Sequence, residues 1–122
     1  MIKAILLKTD GSKIIKEYDQ LSLSDIQGAV GGLYECVQLP KQNVDMLCNE
    51  EGKINGLEQN PIATALYHSN HGPHDVIVGD VLFINGLNLD GDYLSLTDKQ
   101  IEELMAFESR ITMISPTKAI YS

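Results

Sequence analysis

The stretch Leu47–Asn70, LCNEEGKINGLEQNPIATALYHSN, decides how this chain folds. It opens on the end of a strand. Alternation places Val44, Met46 and Cys48 on one face and Asp45, Leu47 and Asn49 on the other. An acidic turn follows, Glu50-Glu51-Gly52-Lys53, in which Gly52 is read as supplying a positive φ. Gly56-Leu57 bends the chain again. Asn60 has the side chain of an N-cap, and Pro61 fits the first helical position, where its missing N–H costs nothing. The helix is expected from Pro61 to about Ser69, with Ala63, Leu66 and Tyr67 turned inward and Thr64 near its N-terminal mouth. A strand is thus handed to a helix through a polar turn rich in forced backbone geometry.

Upstream, the apolar run Ile2–Lys8 and the run Lys13–Tyr18 flank Asp10-Gly11, a strong hairpin signal. Ser22 and Asp25 make a capping box for a short helix with Ile26, Ala29 and Val30 on its apolar side, closed by Gly31-Gly32. Strands are expected at Tyr34–Leu39 and Asn43–Cys48, joined through Pro40-Lys41-Gln42 as an antiparallel hairpin. Downstream, His68–His74 reads as a polar loop. Asp75–Asn85, DVIVGDVLFIN, reads as a central strand covered on both faces and interrupted at Gly79-Asp80. Asp90-Gly91-Asp92 turns into a further strand, Tyr93–Leu96. Thr97 and Gln100 cap a final helix over about 98–110, whose spaced residues are Ile101, Leu104, Met105, Glu108 and Ile111. The segment Thr112–Ser122 carries Met113, Ile114, Ile120 and Tyr121, and is expected to dock on its own sheet or on a neighbouring subunit. The expected architecture is one α+β domain over residues 1–122: a strongly curved, mostly antiparallel sheet of about six strands with two or three packed helices.

The chain has 122 residues, 43% of them hydrophobic and 21% charged. One core suffices at that length. No apolar run approaches the roughly 18 residues of a membrane span, and the N-terminus lacks the features of a signal peptide, so a cytoplasmic protein with no membrane partner is expected. Cys36 and Cys48 lie in expected strands without a CxxC spacing and read as two buried thiols, with a disulfide or a catalytic thiol as the minority reading. The net charge of −8, from 17 acids against 9 bases, opposes binding to nucleic-acid phosphates. Dispersed acids serve solubility in most proteins; the sharper alternative is a protein that imitates DNA charge to occupy a DNA-binding enzyme.

Reactive constellations are scarce. Ser69 and His68 are sequence neighbours and do not face each other on a helix. Glu50-Glu51 on an exposed turn suits ligand orientation better than proton transfer. His68, His71 and His74 invite a metal reading, but Gly72-Pro73 breaks the helix that would align them, and Asn88–Asp92 does not match a calcium loop. No cofactor, metal or catalytic residue is therefore expected. The ligand-binding residues expected are Asn49, Glu50, Glu51, Gly52, Lys53, Asn60, Thr64 and Tyr67. Backbone donors at the helix start favour an anionic group, the glutamates accept from hydroxyls or amines, and Tyr67 and Tyr34 offer stacking faces. The competing reading is that Gly52, Gly56 and Asn60 only make a tight strand-to-helix connection.

The residues Asn49-Glu50-Glu51-Gly52-Lys53, Gly56-Leu57, Asn60, Ala63-Thr64 and Leu66, with Ile77–Val81 downstream, resemble a small domain family of unknown function found in phages, plasmids and bacterial genomes. The resemblance covers about residues 2–100. Glu58 stands where the family often has proline, and the histidine loop is particular to this chain. The resemblance carries no reaction with it. It implies an accessory protein of a mobile element, acting in the host cytoplasm: a homo-oligomeric, non-catalytic protein that sequesters a nucleotide-derived small-molecule signal in a polar pocket. The alternatives are an acidic interaction module that inhibits a host protein, and a small hydrolase.

Overall fold

Asp10-Gly11 reverses the chain as its sequence requires. Gly11 takes φ 91, and β1 (Ile2–Leu7) and β2 (Lys13–Tyr18) pair antiparallel with Ile5 opposite Ile15. These are the first elements of a computed structural model that describes residues 1–107. Helix α1 (Leu23–Val30) starts at a complete capping box: the Ser22 hydroxyl accepts from the Asp25 N–H, and the Asp25 carboxylate accepts from the Ser22 N–H. Gly31, at φ 86, ends it and donates its N–H to the Gln27 carbonyl. Strands β3 (Tyr34–Leu39) and β4 (Val44–Asn49) form the second hairpin, turned by Asn43 at φ 56. Helix α2 (Pro61–His71) and β5 (Val81–Ile84) follow. A third helix, α3, covers 98–107 within the described residues.

All strand pairs are antiparallel, and the order across the sheet is β2-β1-β5-β4-β3. The sheet does not close, so β2 and β3 are its edges. The fold is α+β, as expected. β5 is central and all four of its residues are buried, because both sheet faces are covered there. Val81 and Phe83 join Ile5, Leu7, Val44 and Met46 under α2 and α3, while Leu82 and Ile84 join Ala4, Leu47, Ile26 and Val30 under α1. The period-two pattern read from β4 thus sorts its side chains into two separate cores. Full burial of a side chain such as Phe83 or Met46 contributes roughly 1.5–3 kcal/mol, so these two layers fix the register.

The sheet has five strands where about six were expected. Residues 93–96 do not form the sixth. Leu94 donates to the Gly86 carbonyl and Leu96 to the Lys3 carbonyl, so the segment straddles two partners and builds no ladder. The expected strand Asp75–Asn85 shortens to its second half. Gly79, at φ 80, turns the chain, and Ile77–Gly79 instead bond to 58–60, with the Asn60 N–H on the Ile77 carbonyl at 2.8 Å. Helix α2 runs past Ser69 to His71, so His68 and His71 lie on the helix rather than in a loop. Thr97 and Gln100 do form a capping box. On α3 the stripe is Ile101, Leu104 and Phe107, and Met105 is exposed; Glu108, Ile111 and the segment Thr112–Ser122 lie outside the described residues. No described helix is long and apolar enough to cross a membrane.

Candidate functional site

The polar residues of the acidic turn divide into those that hold the fold and those that do not. Asn49, at the end of β4, is buried. Its Nδ2 donates to the Val30 carbonyl at 3.1 Å and its Oδ1 accepts from the Glu51 N–H at 2.8 Å. It therefore ties the last carbonyl of α1 to the start of the turn. Gly52 is buried but does not have a positive φ. A Cβ there would lie 2.7 Å from Val78 Cγ2 and 3.3 Å from Leu57 Cδ1. The glycine is required by close approach and not, as its sequence context suggested, by backbone handedness. Gly56, at φ 72, does supply the second bend.

Asn60 is completely buried. Its Oδ1 accepts from the Ala63 N–H at 3.2 Å, and its Nδ2 donates to the Leu7 carbonyl at 3.2 Å and the Gly79 carbonyl at 3.0 Å. One amide caps α2, closes the end of β1 and holds the Gly79 bend. The Thr64 hydroxyl donates to the Ile77 carbonyl at 3.2 Å and accepts from the Ile77 N–H at 2.9 Å. The N-terminus of α2, expected to offer donors to an anion, is thus occupied by its own cap. Neither Asn60 nor Thr64 lines the cleft beside the acidic turn.

What remains open is a cleft of about 120 Å³ between β3, β4, the acidic turn and Asp75–Val78. The residues that line it include Glu35, Cys48, Glu50, Lys53 and Asp75. Lys53 and Asp75 form an ion pair, both about half exposed. The Lys53 hydrogen bond, and then the Val76 N–H, hold the Asp75 carboxyl below its usual range. Glu50 and Glu51 have exposed side chains that make no hydrogen bond or ion pair among the described residues. Of the eight expected residues, Asn49, Glu50, Gly52 and Lys53 line this cleft; Glu51 adjoins it in sequence, and Asn60 and Thr64 lie in the scaffold behind it. Tyr67 borders a separate, shallower depression of about 480 Å³ with Val37, Gln38 and His71. Tyr34 is on the opposite face of the sheet, its hydroxyl bonded to that of Tyr93. The two tyrosines therefore cannot stack on one ligand.

Glu35 and Asp75 are the cleft carboxylates that the sequence reading missed. A signal for Glu35 existed: a hairpin in which Leu39 pairs with Val44 must pair Glu35 with Cys48. Asp75 enters because the chain after α2 doubles back, which no local pattern encodes. Two of the three histidines have structural partners. His68 Nε2 lies 2.5 Å from the Asp75 carbonyl and His71 Nε2 lies 2.7 Å from the Gln38 carbonyl. No three potential metal-ligating side chains gather among the described residues.

The cysteines differ from expectation. Cys48 is buried, but Cys36 is exposed on the edge strand β3, because the side of β3 that carries it extends beyond the cover of α1. Burial, then the Glu35 carboxylate, push the Cys48 thiol up to about 12. Although Cys36 is exposed as a residue, loss of water around its sulfur and the adjacent Asp45 carboxylate push its thiol up to about 11. Thiolate is the reactive form, so both are poor nucleophiles near neutrality. Alkylation followed by mass spectrometry is expected to label Cys36 first, with a rate that climbs as pH rises toward about 11, while Cys48 reacts at the rate of unfolding. The raised Cys48 value has a sign for stability. The unfolded thiol ionises near 9.0 while the folded one stays neutral, so stability is retained below that pH and declines above it.

A family model for a domain of unknown function, DUF3846, matches residues 2–108. The chain belongs to DUF3846. That match takes in every strand, all described helices and the whole cleft of this DUF3846 domain. No curated protein and no solved structure matches it.

Proposed function

We propose that this DUF3846 domain is a non-catalytic binding protein whose cleft, below the acidic turn, takes a cationic group: a lysine or arginine side chain on the surface of a protein partner. The observation that carries this reading is the charge of the lining, with Glu35, Glu50 and Asp75 against the single ammonium of Lys53. Carboxylates accept hydrogen bonds and match the fork of a guanidinium. A cavity of about 120 Å³ matches the size of one such group. The net charge of −8 would speed encounter with a basic partner. Both thiols have raised pKa values, so neither supports nucleophilic catalysis at neutral pH. An inhibitor of a host protein, encoded on a mobile element, is the biological role that suits such a surface.

The second reading, a sponge for a nucleotide-derived signal, draws support from Lys53, a half-exposed cation at the rim. It requires Lys53 to leave Asp75 for a phosphate. A titration followed by backbone NMR separates the two. With argininamide, shifts are expected at Glu35, Glu50 and Asp75, weakening as salt rises. Glu50→Gln is expected to lower affinity about two- to fivefold, whereas Lys53→Ala, which frees Asp75, is expected to raise it. Shifts produced by nucleotides and not by argininamide would favour the sponge, and conversion of an added ester to products would favour the hydrolase.

A further inference from the structure

The two edges of the sheet are treated differently. At β3, the C-terminal turn of α2 leans over the edge: His71 meets the Gln38 carbonyl, and the Asn70 side chain accepts from the Lys41 N–H just beyond the strand. At β2, no strand among the described residues pairs on the outer side. β2 is six residues long, without proline, and pairs residue for residue with β1, so it has no bulge. Its adjacent Ile14 and Ile15 point to opposite faces of the sheet and are 41% and 47% exposed. A straight strand that has apolar residues on both faces and no strand paired to its outer side among the described residues is a template for another strand.

We propose that β2 is the contact edge for a second copy of this chain, the two β2 strands pairing antiparallel about a two-fold axis that passes through Ile15. The side chains select that register. A two-fold axis perpendicular to the sheet keeps like faces together, so it must pass through a residue and not between two. Centred on Ile15, the axis sets Ile15 against the second copy's Ile15, Lys13 against its Glu17, and Ile14 against its Lys16. The first pair is apolar and the second is of opposite charge, both favourable across strands. In the third, the lysine stem lies over the isoleucine with its ammonium in water. Centred on Lys16, the axis would set two lysines face to face, which is destabilising. Centred on Ile14, it would leave Glu17 beyond the paired segment. Lys13 also donates to the Leu104 and Met105 carbonyls of α3. The pairing would join two five-stranded sheets into one of ten strands, at the edge farthest from the cleft, which lies along β3 and β4. It is independent of what that cleft binds.

Sedimentation of the full chain over a concentration series is expected to show a dimer that dissociates on dilution. Ile15→Lys, which brings two cations together on the axis, is expected to give a monomer with the far-ultraviolet dichroism and melting of the parent. Should that variant not fold, Glu17→Lys at its exposed position serves in its place, since it sets cations at 17 against those at 13. Hydrogen exchange of the β2 amides is expected to slow as concentration rises. A chain that stays monomeric at every concentration overturns the proposal, as does a dimer that survives both substitutions. So does β2 protection that is strong and independent of concentration, which would mean that the chain's own residues beyond 107 occupy this edge.

Discussion

Asn60→Ala is expected to destabilise the domain by about 3 kcal/mol, read as a lowered urea midpoint with an unchanged slope. The magnitude follows from what the amide does. Losing a helix N-cap costs about 0.5–2 kcal/mol. The substitution also strips the donor from two carbonyls, Leu7 and Gly79, at a site with no exposure, and an unsatisfied buried acceptor costs roughly 1–3 kcal/mol. These terms overlap, because relaxation around one relieves the other. Asn60→Asp makes a sharper test. The aspartate keeps an acceptor for the Ala63 N–H but sets a buried carboxylate against two carbonyl oxygens. Its folded pKa should therefore be raised above the unfolded value, so the variant should lose stability as pH rises through the carboxylate range and recover it on acidification. A ligand-binding role for Asn60 predicts the opposite pattern: near-normal stability with binding abolished. A loss under about 1 kcal/mol for Asn60→Ala would show that water replaces the amide, and the hub assigned to this residue would be wrong.

Much of the scaffold was legible because its signals are local. Asp10-Gly11, the capping boxes at Ser22 and Thr97, and the Asn60-Pro61 start each constrain a few successive residues, and each is realised. Period-two alternation likewise identified the face to which Val44, Met46 and Cys48 belong. Where the reading failed, the cause was a partner distant in sequence. The sixth strand failed because residues 93–96 meet Gly86 and then Lys3. The first part of the histidine loop, through His71, became helix because His68 and His71 find carbonyls on Asp75 and Gln38, which offset the weak helix propensity of the segment. Cys36 was expected inside, yet its strand turned out to be an edge, and strand order is not written in any one strand. The site was half legible for the same reason. The acidic turn announced itself, but the cleft exists only because Glu35 and Asp75 are brought beside it. At the helix start, the side chain that the sequence offered to a ligand caps its own helix.

Gly79→Ala and Gly52→Ala separate the two reasons a buried glycine can be required, and the first is expected to cost more, about 3 kcal/mol. Gly79 sits at φ 80, and an added Cβ would lie 2.8 Å from Leu57 Cδ1. A side chain in the left-handed region costs roughly 1–2 kcal/mol, and overpacking adds about 1–3 kcal/mol where the neighbour cannot yield. Leu57 Cδ1 is the end of a flexible side chain, so part of the second term relaxes. Truncation in Leu57→Ala should therefore recover the contact term and leave the backbone term, so Gly79→Ala stays destabilising in that background. Gly52 has no positive φ, and its obstacle is Val78 Cγ2 at 2.7 Å. A β-branched side chain is stiff about χ1, so Val78 cannot swing aside as Leu57 can. Gly52→Ala should cost about 1–3 kcal/mol and be largely rescued by Val78→Ala, with a coupling energy above about 1 kcal/mol in the double-mutant cycle. An additive cycle would show that the turn moves without touching Val78. Packing would then no longer account for the glycine, and the reading of position 52 as a place where a ligand approaches the backbone would gain the ground that close packing now holds.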